Sequence, residues 1–117
     1  MDYKDLDTWK KSRELVSEIY DITNSFPKEK IYGLTNQIRR AAISVPSNIA
    51  EGNGRNSNKE INQFNFIARG SLYELEMQLY IAFDLKYISE NQLNIIIQKI
   101  SDCKRMIQGM INYLNSK

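Results

Sequence analysis

The stretch SNKEINQFNFIARGSLYELEMQLYIAF, residues 57–83, decides how the rest of the chain is read. Ser57-Asn58-Lys59-Glu60 is a capping-box pattern that starts a helix. Ile61, Phe64, Ala68, Leu72, Leu75, Leu79, Ala82 and Phe83 then carry one continuous apolar face at helical spacing. On the same wheel Phe66, Gly70, Tyr73, Met77 and Tyr80 lie roughly opposite, stepping by 4, 3, 4 and 3 residues as in a heptad seam. One helix cannot turn both faces to one core. Scattered surface aromatics are the plain alternative, because monomers carry them singly. The ordered spacing, and a glycine that lets a backbone approach, favour a face for a second copy or another helical protein.

The flanking segments carry the same period. Leu6, Trp9, Val16, Ile19, Tyr20 and Thr23 recur behind Asp5 or Asp7 as N-cap, and Phe26-Pro27 ends the pattern. Leu34, Ile38, Ala41, Ala42, Val45 and Ile49 share one arc, with Pro46 inside it and a kink expected there. Gly52-Asn53-Gly54 closes that helix with residues that tolerate left-handed dihedrals. Ser89-Glu90-Asn91-Gln92 is a second capping box, followed by Leu93, Ile96, Ile97, Ile100, Ile107, Ile111 and Leu114. A weaker second set, Ile95, Met106, Gly109 and Tyr113, lies outside that stripe. The chain therefore reads as all-α, a single domain with helices at roughly 7–25, 34–52, 58–86 and 90–115. Short connections make it an antiparallel up-down-up-down four-helix bundle.

Composition narrows the chemistry. The 117 residues, 42% apolar, suffice for one modest core. There is no histidine and one cysteine, Cys103, which removes disulfide frameworks, Cys/His zinc sites and histidine-based catalytic triads. Serines 44, 47 and 71 lack the Ser-x-x-Lys spacing that would give them a base. A metal site from Glu51, Glu74 and Glu76 is conceivable, but these carboxylates are more simply partners for arginines. Cys103 falls on the core side of its helix, where inert burial is expected. No enzyme activity and no cofactor are expected. No apolar run is long enough to span a membrane, and the polar N-terminus is unlike a signal peptide, so a cytoplasmic protein is expected.

The net charge is only +2, so an anionic partner must be met by a local patch. Residues 28–70 hold seven basic and three acidic side chains, an excess of +4. The basic members are Lys28, Lys30, Arg39, Arg40, Arg55, Lys59 and Arg69, and arginine suits bidentate phosphate contact. In a hairpin centred near residue 55, Arg40 comes level with Arg69. Helix 2 also bears a polar stripe of Gln37, Arg40, Ser44, Ser47, Asn48 and Glu51 beside its apolar arc. It reads either as phosphate-facing or as an internal network of Gln37, Ser44, Asn48, Glu51 and Glu76, with Arg40 paired to Glu51, Glu74 or Glu76. Arg39 and Arg55 are expected to face solvent.

The run from Tyr32-Gly33-Leu34-Thr35-Asn36-Gln37-Ile38-Arg39-Arg40-Ala41-Ala42 through Ile43-Ser44-Val45-Pro46-Ser47-Asn48-Ile49-Ala50-Glu51-Gly52 resembles the four-helix-bundle proteins encoded by intervening sequences in bacterial 23S ribosomal RNA genes. Gly54-Arg55, the later Ala68-Arg69-Gly70-Ser71-Leu72-Tyr73-Glu74-Leu75-Glu76, the opening Leu6-Asp7-Thr8-Trp9 and the Phe26-Pro27 break fit as well. The resemblance implies a homo-oligomer, a ring of five protomers. That family is in turn similar to the accessory protein of diversity-generating retroelements, a pentameric barrel that engages nucleic acid and a reverse transcriptase. The implied partners are thus a second copy, RNA or other nucleic acid, and a nucleic-acid enzyme. Arg39, Arg40 and Arg55 match motif positions, and with Lys59 and Arg69 they are the expected nucleic-acid-binding set. The competing reading is a scaffold whose arginines close internal salt bridges. No base-reading motif is present, so any recognition would be of backbone or shape.

Overall fold

The structure, a computed structural model, describes residues 2–28 and 31–117, and the side chains of all of these except residues 31 and 32. Lys30, one of the central cations, lies outside the described residues. Four long helices account for the fold: α1 (Asp7–Thr23), α2 (Asn36–Asn53), α3 (Asn58–Asp84) and α4 (Glu90–Asn115). Among the described residues there is no strand, and the architecture is that of a four-helix bundle measuring 45 × 24 × 20 Å. No described helix is long and apolar enough to cross a membrane.

Helix α1 begins at Asp7 as expected, but its cap differs from expectation. Its N-cap is Leu6, with no side-chain cap, because Asp2 caps a separate 3-10 turn at Tyr3–Asp5 by accepting from the Lys4 amide at 2.9 Å. The buried stripe of α1 is also rotated from the apolar reading: Thr8, Ser12, Leu15, Ile19 and Thr23 face inward, while Trp9 and Val16 are half-buried and Tyr20 is exposed. Ile19 and Thr23 hold their expected places, whereas hydropathy misses Thr8 and Ser12, which like Thr23 make three hydroxyl residues among the five. Two of the three satisfy themselves within the helix, Ser12 donating to the Thr8 carbonyl at 2.9 Å and Thr23 to the Ile19 carbonyl at 2.8 Å.

A π-type turn, Ile31–Thr35, broken by Gly33 (φ −106°, ψ −117°), precedes α2, which begins two residues later than the spacing predicts. Pro46 lies inside α2, and Ile38, Ala42, Val45 and Ile49 enter the core. The turn after α2 needs its glycines for a different reason than the one expected. No glycine has positive φ, but a Cβ on Gly52 would stand 2.7 Å from the Phe64 Cβ and 3.3 Å from the Ile61 carbonyl oxygen. Gly52 is therefore the point where α2 and α3 come into backbone contact. Ser57 caps α3 by accepting from the Glu60 amide at 3.2 Å, and the Ser57 hydroxyl donates to the Glu60 carboxylate. At the far end Lys86, not a glycine, takes the left-handed position (φ 65°), with the Tyr87 amide donating to the Ala82 carbonyl and the Lys86 amide to that of Phe83. The full capping box between Ser89 and Gln92 then starts α4.

Leu72, Leu75 and Leu79 of α3 meet Ile96, Ile100, Ile107 and Ile111 of α4 and the inward residues of α1 and α2 in one core cluster. Polar cross-links set the registers. Asn58, Asn62, Arg69 and Glu76, rising along α3, bond to Leu114, Ile111, Gln108 and Lys104, falling along α4. Between α2 and α3, the Ser71 hydroxyl donates to that of Ser44 at 2.9 Å.

Gly52→Ala should cost about 1–3 kcal/mol of unfolding free energy, because Phe64 and the α3 backbone must shift to admit a methyl group. Gly54→Ala, whose Cβ would meet nothing closer than 3.6 Å, should change urea-unfolding stability far less.

Candidate nucleic-acid interface

The polar stripe of α2 forms one wall of a groove whose other wall is α3. Gln37, Arg40, Ala41 and Ser44 face Glu74 and Gln78 across a cavity of about 280 Å³. Within it the Asn48 amide donates to the Ser44 carbonyl at 2.8 Å and to its hydroxyl at 3.0 Å, so Ser44 links Asn48 to Ser71. Only part of the expected internal network exists. Arg40 makes no ion pair among the described residues, because Glu51 turns to Arg55 at 3.3 Å and Glu76 to Lys104 at 3.0 Å. Gln37 is exposed. Glu51 and Glu76 thus sit on different sides of the hairpin, and no group of three metal-ligating side chains converges among the described residues.

The five expected nucleic-acid contacts do not form one cluster. Arg39 points to α1, where its Nε donates to the Thr23 hydroxyl at 2.8 Å, its Nη2 donates to the Asn24 side chain at 3.2 Å, and its guanidinium lies 4.4 Å from the Tyr20 ring centre. It is therefore half-buried, not free in solvent. Arg40 lines the α2–α3 groove. Arg55, just past the end of α2 and about 20 Å away at 1.5 Å per residue, is tied to Glu51 and stacked over Phe64 at 4.6 Å. Lys59 is exposed in the first turn of α3. Arg69 is not level with Arg40: it reaches over α4 to donate to Gln108 at 2.7 Å and lies over Phe66 at 5.1 Å. The helical wheel of α3 separates the two sides, since Asn62, Arg69 and Glu76 repeat every seven residues toward α4 and Phe64, Ser71 and Gln78 do so toward α2.

The remaining described cations divide evenly: Lys10, Arg13, Lys28, Lys86 and Lys117 have no carboxylate within ion-pair distance among the described residues. Lys4, Lys11, Lys99, Lys104 and Arg105 all have a carboxylate within ion-pair distance, Lys99 reaching Glu18 at 2.5 Å across α1 and α4. Of the five candidate residues, Arg55 alone has one among the described residues.

The outer face of α3 is apolar and open to water in the single chain. Tyr73 is 56% exposed, Met77 51%, Tyr80 48% and Phe66 44%, and a Cβ on Gly70 would meet nothing within 4 Å. Ile67, Ile81 and Leu85 widen the strip, so that among the described residues seven of eleven exposed large apolar side chains belong to α3 or its C-cap. Two cations of the α3–α4 side edge it, Arg69 over Phe66 and Lys104 over Tyr73 at 4.3 Å. The α3–α4 polar ladder escaped sequence reading, although its seven-residue spacing was present as a signal. Ile95 and Tyr113 of α4 are exposed too.

Cys103 is buried on α4, and its thiol is pushed up to about 11, first by burial and then by the neighbouring charge of Asp102. A thiol raised in the fold stabilises the folded state below the ordinary thiol pKa and loses that contribution as pH climbs toward 11. At pH 8 a disulfide reagent should modify Cys103 about a hundredfold more slowly in the folded protein than in urea, from the loss of thiolate alone.

The family of 23S rRNA-intervening sequence proteins matches residues 4–109. No curated protein matches the chain. A crystal structure of a protein with unknown function from the S23 ribosomal protein family of Bacteroides thetaiotaomicron superposes with a TM-score of 0.79 at 22% identity, covering 89% of this chain and 97% of that one. That likeness speaks for the fold alone. With the family pattern spanning all four helices, the chain belongs to the 23S rRNA-intervening sequence protein family.

Proposed function

We propose that this protein is a non-enzymatic, cytoplasmic homo-oligomer, built from antiparallel up-down-up-down bundles in a ring of five, that binds the phosphate backbone of nucleic acid, RNA foremost. The supporting observation is that four of the five candidate cations lack a counter-charge among the described residues. Arg39, Arg40, Lys59 and Arg69 have no carboxylate partner among the described residues, whereas five of the ten other described basic side chains are paired. Cations left without a counter-charge attract phosphates at little cost in broken ion pairs. The family's name, which refers to 23S rRNA, agrees with RNA as the polymer. The scaffold reading, in which the arginines close internal salt bridges, draws support among the described candidate arginines from Arg55 and Glu51 alone.

Self-association supplies what one protomer lacks. The candidate cations of a single chain are dispersed, and repeating them around a ring would give a polymer many weak contacts instead of one dense patch. The outer strip of α3, with a heptad step and Gly70 at its centre, is the surface we assign to the neighbouring copy. The resemblance to retroelement accessory proteins extends the proposal to a nucleic-acid enzyme as a further partner.

Binding to a structured RNA should weaken with salt, log affinity falling linearly with log salt by about 0.7–0.9 per phosphate contact. Arg40→Ala should make that slope shallower by one such increment per protomer engaged; an affinity indifferent to salt sinks the reading. In sedimentation velocity the wild type should run as an oligomer, and Met77→Asp, which buries an unpaired charge in the strip, should run as a monomer of unchanged helicity. Oligomers of Met77→Asp identical to wild type would put the interface elsewhere.

A further inference from the structure

Where α1 ends and α2 begins, a cavity of about 230 Å³ is lined by Thr23, Asn24, Lys28, Thr35 and Arg39 over the rings of Phe26 and Pro27. That volume is below the range of pockets that hold drug-sized molecules, and it suits a single small polar group. Among the described residues no carboxylate lines it. Two cations do, and neither Lys28 nor Arg39 forms an ion pair among the described residues.

Arg39 is held in place by neutral groups. Thr23 and Asn24 take two of its five N–H donors, and Tyr20 supports the plane of its guanidinium. Three donors remain on a charge whose side-chain entropy is already spent in the fold. A guanidinium fixed this way and left without an anion is pre-organised for one.

Thr35 supplies an independent observation. Its residue is 4% exposed, it lines the cavity, and its hydroxyl has no hydrogen-bond partner among the described residues. Although Thr35 stands at the N-cap of α2, its side chain makes no capping bond. A buried hydroxyl without a partner costs stability, in contrast to Ser12 and Thr23, which bond to their own helix.

We infer that this pocket binds one phosphate group, with Arg39 and Lys28 meeting its charge and Thr35 donating a hydrogen bond. The inference rests on the phosphate-binding reading above and adds a place: a cleft of this size admits a strand's terminal phosphate or a free phosphate, not the side of a duplex.

Isothermal titration of the full chain with inorganic phosphate, at constant ionic strength, should give saturable binding. Arg39→Gln should weaken it roughly tenfold or more, Lys28→Ala should weaken it less, and Arg13→Ala, outside the cavity and stacked on Trp9, should leave it unchanged. Thr35→Val separates a binding role from a structural one: it should weaken phosphate binding while leaving the unfolding midpoint equal or higher. A parallel titration compares 5′-phosphorylated and 5′-hydroxyl forms of one short oligoribonucleotide. Tighter binding of the phosphorylated form identifies a strand end as the source, and equal binding identifies free phosphate. Absence of saturable phosphate binding, or binding unaffected by both Arg39→Gln and Thr35→Val, overturns the inference. If RNA affinity still falls steeply with salt in that case, the broader reading stands without this site; phosphate binding with salt-indifferent RNA affinity would have the reverse meaning.

Discussion

A helix has one surface, and α3 divides nearly all of it among different neighbours. Its Leu72, Leu75 and Leu79 enter the core, its Asn62, Arg69 and Glu76 bond to α4, and its Ser71 and Gln78 face α2. What is left over is an apolar strip from Phe66 to Tyr80. Every other placement follows from this partition. Because the polar ladders on both flanks fix the rotation of α3, the strip cannot be turned inward without breaking a ladder and burying unpaired amides and charges.

The same partition explains why the cations disperse. Arg40 lies on the α2 side of α3, Arg69 on the α4 side, and Arg39 across α2 against α1. Neighbours in sequence thus become members of separate faces, since consecutive residues on a helix are turned by about 100°. Arg39 and Arg40 show the consequence most plainly: one is clamped by Thr23, Asn24 and Tyr20, and the other stands in an open groove beside Glu74 and Gln78. A phosphate backbone meeting this protein would find separated contacts along the bundle, which is the arrangement that repetition around an oligomer turns into avidity.

Backbone proximity also has a local origin. Gly52 lets α2 and α3 touch at Phe64, and Ser44 bonds to Ser71 farther along the pair. Small residues at these positions draw α2 and α3 together and leave the longer Gln37, Arg40, Glu74 and Gln78 to line the groove where the pair opens. Lys86 takes a left-handed turn without a glycine, a strained position held by the helix-ending hydrogen bonds of Lys86 and Tyr87 and by the packing of Phe26 on Tyr87 with ring centres 5.2 Å apart.

The sequence alone determined the helix count, the spans of α2, α3 and α4 to within two residues, most of the buried apolar positions and the existence of a second face on α3, because a period of 3.6 and the capping residues are local properties. It misjudged part of the inward face of α1, whose Thr8 and Ser12 look polar in a list; Ser12 becomes compatible with a core by bonding to its own helix. It could not decide ion-pair partners. Glu51 chooses Arg55 and Glu76 chooses Lys104, leaving Arg40 without an ion-pair partner among the described residues, because partner choice depends on which flank of α3 a residue occupies and on a register set by contacts between distant segments. The pocket between Thr35 and Arg39 is likewise a product of the tertiary structure: its lining comes from two helices and their connection, and no spacing within either helix encodes it.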